Sequence, residues 1–124
     1  MTPSPADVVT EFCRKWATPD PAELAAYFTE DAVYHNIPME PVRGRDAIKE
    51  FIAGFTAGFA GIEFQVQSQV TDGNVVMNER IDVMRRKDGD DIPLPVMGVF
   101  EVVDGKIAAW RDYFDLATVT KAFG

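Results

Sequence analysis

The sequence predicts an α+β fold: a curved, mixed but mostly antiparallel sheet wrapped around helices, cone-shaped, with a deep apolar pocket. Two observations predict it. Before Gly61, apolar residues recur at helical spacing. After Gly61 they alternate with polar residues, and Gly-containing turn signals interrupt them at Asp72–Asn74, at "KDGDD" and at Asp104–Lys106. Helices followed by a strand meander is the α+β pattern. A curved sheet wrapped around one long helix would leave a blind apolar cone between them.

The elements follow in order. Ser4 is placed to cap a helix whose first turn holds Pro5 and Asp7. Val8, Val9, Phe12, Cys13 and Trp16 form its apolar stripe through about Ala17. "TPDPAELAAYF" restarts a helix, with Asp20 as cap and Leu24, Tyr27 and Phe28 as the stripe. "TEDAVYHNIPMEPVRG" reads as a short strand followed by a turn-rich loop restrained by Pro38, Pro41 and Gly44. "RDAIKEFIAGFTAGFA" reads as a third helix, with Ile48, Phe51, Ile52, Phe55 and Phe59 on its buried side. Strands are then expected at "IEFQVQSQV", Val75–Arg86, "IPLPVMGVFEV" and "IAAWRDYFD". Pro93 and Pro95 predict an edge or a bulged start for the third of these. Thr118–Phe123 closes as a short helix.

Composition narrows the function. The 124 residues, 47% of them hydrophobic, are expected to form a single domain spanning 1–124. A formal net charge of -8 argues against nucleic acid or an anionic membrane as partner. Cys13 and His35 are the only residues of their types, so no internal disulfide, no usual Cys/His zinc site and no triad without His35 can be built. The N-terminus lacks the basic and apolar regions of a signal peptide, and no apolar run reaches membrane-spanning length. The expected location is the cytoplasm.

The candidate chemistry lies in the strands. In Val75–Arg86, Asn78, Arg80, Asp82 and Met84 share one face, with Met77, Glu79, Ile81 and Val83 on the other. Alternation alone would bury the second set and leave the first in water. The last strand argues otherwise. Ala108, Trp110, Asp112, Phe114 and Leu116 share a face, so Asp112 is the one carboxylate on an apolar surface. Burying it unpaired costs several kcal/mol or raises its pKa. Arg80 on a neighbouring strand would supply a partner, and Asp82 and Asp112 would then flank one guanidinium inside the cone. Both a buried pair kept for specificity and a catalytic constellation satisfy that pattern. Tyr34 and Asn36 share a third face and can hold a water, whereas His35 points away and reads as structural.

Taken together, "YHNIP", "GRDAI", "NERIDVMRR" and "GVFEVVDGKIAAWRDYFD" closely resemble the limonene-1,2-epoxide hydrolase family, from about Val8 to Leu116. That family lies within the superfamily of ketosteroid isomerase-like and nuclear transport factor 2-like cones. The resemblance implies that Tyr34 and Asn36 orient a water and Asp112 deprotonates it. It implies that Asp82 protonates the epoxide oxygen and Arg80 bridges the two carboxylates. The family's apolar pocket positions fall on Phe55, Phe59, Met84, Leu94, Val96 and Phe114. A small apolar epoxide, water, no metal, no cofactor and a homodimer through the open sheet face, with Met77, Ile81 and Val83, are implied likewise. Two other functions fit the cone: an isomerase or cyclase acting on a polycyclic ketone, and a non-catalytic module for an apolar ligand.

Overall fold

The computed structural model describes residues 2–123. Three helices and two strands come first: α1 (Pro5–Lys15), α2 (Pro21–Ala25), β1 (Phe28–Asn36), β2 (Val42–Arg43) and α3 (Arg45–Thr56). The long strands β3 (Phe59–Asp72), β4 (Val75–Arg86), β5 (Ile92–Val103) and β6 (Lys106–Tyr113) follow, and α4 (Leu116–Phe123) ends the described chain. The sheet runs β2-β1-β6-β5-β4-β3. Among the described residues only β1 and β6 pair in parallel; every other neighbour is antiparallel. The expected α+β class and mixed sheet are observed.

Local chemistry sets the ends. Ser4 Oγ accepts from Asp7 N at 3.2 Å, and Asp20 Oδ1 accepts from Ala22 N at 3.0 Å, so both expected caps form. Asp104 and Gly105 take the left-handed conformations, φ 50° and 78°, that a tight hairpin between β5 and β6 requires. Helix α1 buries Val8, Val9, Phe12 and Cys13 against the concave side of β3, β4 and β5. Gly61 lets the turn that ends α1 touch β3: a Cβ there would sit 2.1 Å from Ala17 O, and Ile62 N donates to Trp16 O at 2.9 Å.

Several expectations are corrected. No single long helix fills the cone; α1 and α3, of 11 and 12 residues, divide that role. Helix α3 stops at Thr56, and Phe59 opens β3 instead of extending the helical stripe. Phe28 likewise begins a nine-residue strand, and the supposed loop after it contains β2. A bulge between Glu101 and Val102 of β5 leaves Ala108 without a partner, so Ile107 and Trp110 are both fully buried although three residues apart. Ala108 therefore drops out of the inward series. The strand ends at Tyr113, and Leu116 belongs to α4, where it is exposed.

Pro93 and Pro95 sit in a strand with neighbours on both sides, yet only half of it is doubly paired. Pairing of β5 with β6 starts at Met97–Tyr113, while pairing with β4 extends back to Ile92. The prolines lie in the stretch bound to β4 alone, where the missing N–H groups face an unpaired side. Two further bulges in β3, at Phe59/Gly61 and Val66/Ser68, bend the sheet over the helices. The core between them is aromatic: Phe12 touches Trp16, Phe28, Phe100 and Trp110 with ring centroids 5.0–6.3 Å apart.

Candidate active site

Strand β4 carries the charged part of the site, and its faces are the reverse of simple alternation. Asn78, Arg80, Asp82 and Met84 are buried, whereas Met77 on the other face is exposed. The guanidinium of Arg80, fully buried, is the reason. Its five N–H donors make five hydrogen bonds. Nε and Nη2 donate to Asp82 Oδ1 and Oδ2, both at 2.9 Å. Nη1 and Nη2 donate to Asp112 Oδ1 and Oδ2 at 3.3 and 2.8 Å. Nη1 also donates to Asn78 Oδ1 at 2.9 Å. The cation lies 4.5 Å from the centroid of the Phe64 ring.

Strand β5 runs between the two acids and makes room for the bridge. Gly98 pairs with Asn78 on one side and Asp112 on the other. A Cβ at Gly98 would lie 2.4 Å from Arg80 Nη1 and 2.8 Å from Asp112 Oδ1. Only a residue without a side chain lets the arginine cross the strand at that point.

Strand β6 presents Asp112 opposite Asn36 of β1, because the two strands are parallel and in register there. Ile37 N donates to Asp112 O at 2.9 Å and anchors the pair. Tyr34 stacks flat on Trp110, 4.3 Å between centroids and 6° between planes. Trp110 Nε1 in turn donates to Asp112 Oδ1 at 2.6 Å. His35 turns away from this cluster, its Nε2 2.9 Å from Met39 O.

Charge explains the electrostatics. One cation beside two carboxylates in a dry interior favours retention of a proton by the trio. Burial raises the Asp82 carboxyl above its ordinary value; Arg80 opposes this and the charge of Asp112 adds to it. Burial pulls the Arg80 guanidinium down, yet Asp112 and Asp82 hold it well above its ordinary value. Burial, then the charge of Asp112, raises the Tyr34 phenol, so it is neutral at physiological pH.

These groups stand at one side of a cavity of about 120 Å³. Tyr34, Asn36, Asp82 and Asp112 line it; Arg80 lies behind the two carboxylates and does not. Of the apolar positions expected from sequence, Phe55, Met84, Leu94, Val96 and Phe114 line the cavity. Phe59 does not: it packs between Phe55 and Phe123, because the end of α3 at Thr56 takes it off the helical face. Trp16, Met39, Phe51, Ile62, Phe64 and Val119 line it too. Phe51 was legible as the residue one turn before Phe55, and Trp16 as the end of the α1 stripe. No sequence signal marks Met39 or Val119. Trp110 was visible only as an apolar neighbour of Asp112; its N–H contact was not.

Comparison with known proteins gives four matches. Residues 9–110 match the model of the SnoaL-like domain family. The epoxide hydrolase EphG of Mycobacterium tuberculosis is 34% identical over 96 residues, 74% of this chain and 60% of that protein. The chain thus spans about 60% of the length of that curated relative. Among solved structures, an M. tuberculosis LEH-like epoxide hydrolase superposes with a TM-score of 0.82 at 29% identity, covering 94% of this chain and 86% of that one. A protein described as a SnoaL-like polyketide cyclase from Shewanella denitrificans superposes with a TM-score of 0.84, covering 96% of each chain; at 14% identity the likeness is one of fold alone.

Proposed function

The chain belongs to the SnoaL-like domain family, and from that premise we propose that it is an epoxide hydrolase of the limonene-1,2-epoxide hydrolase type. One observation carries the reading: two buried aspartates converge on a single guanidinium and both border an apolar cavity. An isomerase needs one acid/base group and a donor to an oxyanion; it has no use for a second carboxylate across an arginine. Similarity to the M. tuberculosis epoxide hydrolase EphG, and to a solved LEH-like epoxide hydrolase of the same organism, supports the choice.

An epoxide is strained, but its oxygen leaves poorly unless protonated, and water attacks poorly unless deprotonated. One site must do both, so an acid and a base flank the ring. Identical side chains can share the work when their environments separate their proton affinities. Asp82, raised by burial, is the acid. Asp112 is the base. Tyr34, Asn36 and Asp112 hold the water; it attacks a ring carbon as Asp82 gives its proton to the oxygen. A vicinal trans diol forms in one step, with inversion at the attacked carbon and no bond to the protein. Asp112 then returns its proton to Asp82 through solvent or Arg80. The cavity selects a small, apolar, cyclic or terpene-like epoxide. The exposed Val70, Met77 and Met97 on the outer side of the sheet suit a homodimer.

A single turnover of cyclohexene oxide in ¹⁸O-water tests the mechanism. Label is expected in the diol and none in the protein; label on an aspartate would establish an ester intermediate and defeat the proposal. Asp82→Asn and Asp112→Asn should each lower kcat by about 10³-fold, within the range of a single proton transfer. Turnover near the wild-type rate in either variant refutes the assignment.

A further inference from the structure

The proposed reaction needs its two aspartates to differ in proton occupancy, yet Arg80 treats them almost alike. Each carboxylate receives two N–H groups from it. The difference lies on β6. Trp110 donates Nε1–H to Asp112 Oδ1, while the oxygens of Asp82 accept from no residue but Arg80 among the described residues. A donor aimed at a carboxylate favours the anion over the acid.

The indole cannot drift from this task. Trp110 is fully buried, flat against Tyr34 and Phe100 at 4.3 and 5.3 Å, with Phe12 edge-on at 5.0 Å. Few other groups compete for influence on Asp112. Arg80 and Asp82 face it from β4, Tyr34 from β1 and Cys13 from α1. Burial pushes the Cys13 thiol up to about 12, and the Tyr34 phenol is raised as well, so both are neutral throughout the working range. Strand β5 contributes only Gly98 at this point, and β3 contributes Phe64.

We infer that Trp110 is the positioning residue that decides which aspartate serves as base, by giving Asp112 alone a third fixed donor. The inference rests on the epoxide hydrolase reading, and it supplies a physical reason for an assignment of roles that the arginine bridge leaves open. It also explains why the rings of Tyr34 and Trp110 stack: the same contact that orients the phenol over the cavity holds the indole in line with the carboxylate.

The test replaces Trp110 with 3-benzothienylalanine, which keeps the bicyclic shape and substitutes sulfur for N–H; Trp110→Phe is the second variant. Two readouts apply to each. In kcat/KM against pH for cyclohexene oxide, the acid limb should move to higher pH by about one to two units, the size of a hydrogen bond to a charged group. In a carbon-13 NMR titration without substrate, the Asp112 carboxyl should take up its proton at higher pH than in the unaltered protein. A uniformly scaled rate with both limbs in place, or an unchanged titration, overturns the inference and leaves Trp110 a packing residue. The two readings fail separately. A protein that opens no epoxide defeats the proposed function, while the titration still decides what Trp110 does.

Discussion

Gly98→Ala is the sharpest test of how the site is built. The added methyl would stand 2.4 Å from Arg80 Nη1, 2.8 Å from Asp112 Oδ1 and 3.2 Å from Asn78 Oδ1. Ordinary contact begins at 3.4 Å, so the guanidinium must retreat by about 1 Å. A long side chain usually gives way cheaply, but this one is fully buried and tied by five hydrogen bonds. Moving it breaks at least the 3.3 Å bond to Asp112. A lost hydrogen bond between buried charged groups costs about 1.5–3 kcal/mol, and a fully broken buried pair about 3–5 kcal/mol. For a domain of this size each kcal/mol lowers Tm by roughly 3–5 °C. A fall of about 10 °C is therefore expected. A 1 Å displacement of catalytic groups lowers turnover by about 10²-fold. Thermal melts by circular dichroism and initial rates on cyclohexene oxide measure both. A variant that keeps its Tm and kcat would falsify the claim that β5 must be bare beneath the arginine.

Two further outcomes are expected. Gly54→Ala, on the exposed side of α3 with nothing within 4 Å of the new methyl, should raise stability by about 0.5–1 kcal/mol, the helix-propensity gain alone; a lower Tm contradicts this. The basic limb of the rate profile should come from Asp82. Its raised pKa keeps the proton bound above the ordinary carboxyl range, and activity falls as pH rises through the folded-state value. Asp82→Glu, with a longer reach and altered burial, should move that limb; a basic limb that ignores the substitution assigns the acid elsewhere.

Much of this arrangement was legible in the sequence, for identifiable reasons. The caps at Ser4 and Asp20 and the hairpin at Asp104–Gly105 depend on neighbours a few residues away, and each forms where expected. The inner face of β4 depends on distant partners. Alternation points Ile81 and Val83 inward; the need of Asp112 for a counter-charge points Arg80 inward, and the second requirement wins. The bulge at Ala108 was hidden because an unpaired residue shifts the phase of a strand without changing its composition. Phe59 was misplaced because the apolar spacing of α3 runs on past the last helical hydrogen bonds into β3. The indole contact to Asp112 was beyond sequence reasoning altogether, since Trp110 serves equally as filler for the core.

The half-zipped stretch of β5 has an effect on how molecules of this protein behave in a crowd. Where two strands diverge, bare amides and carbonyls ordinarily invite a strand from a neighbouring chain to dock. Here every second residue along the fork, Pro93 and then Pro95, is unable to donate, so an incoming strand finds too few hydrogen-bonding rungs to climb. The split beside Leu94 and Val96 can thus persist as a gap in the sheet without becoming a seed for aggregation.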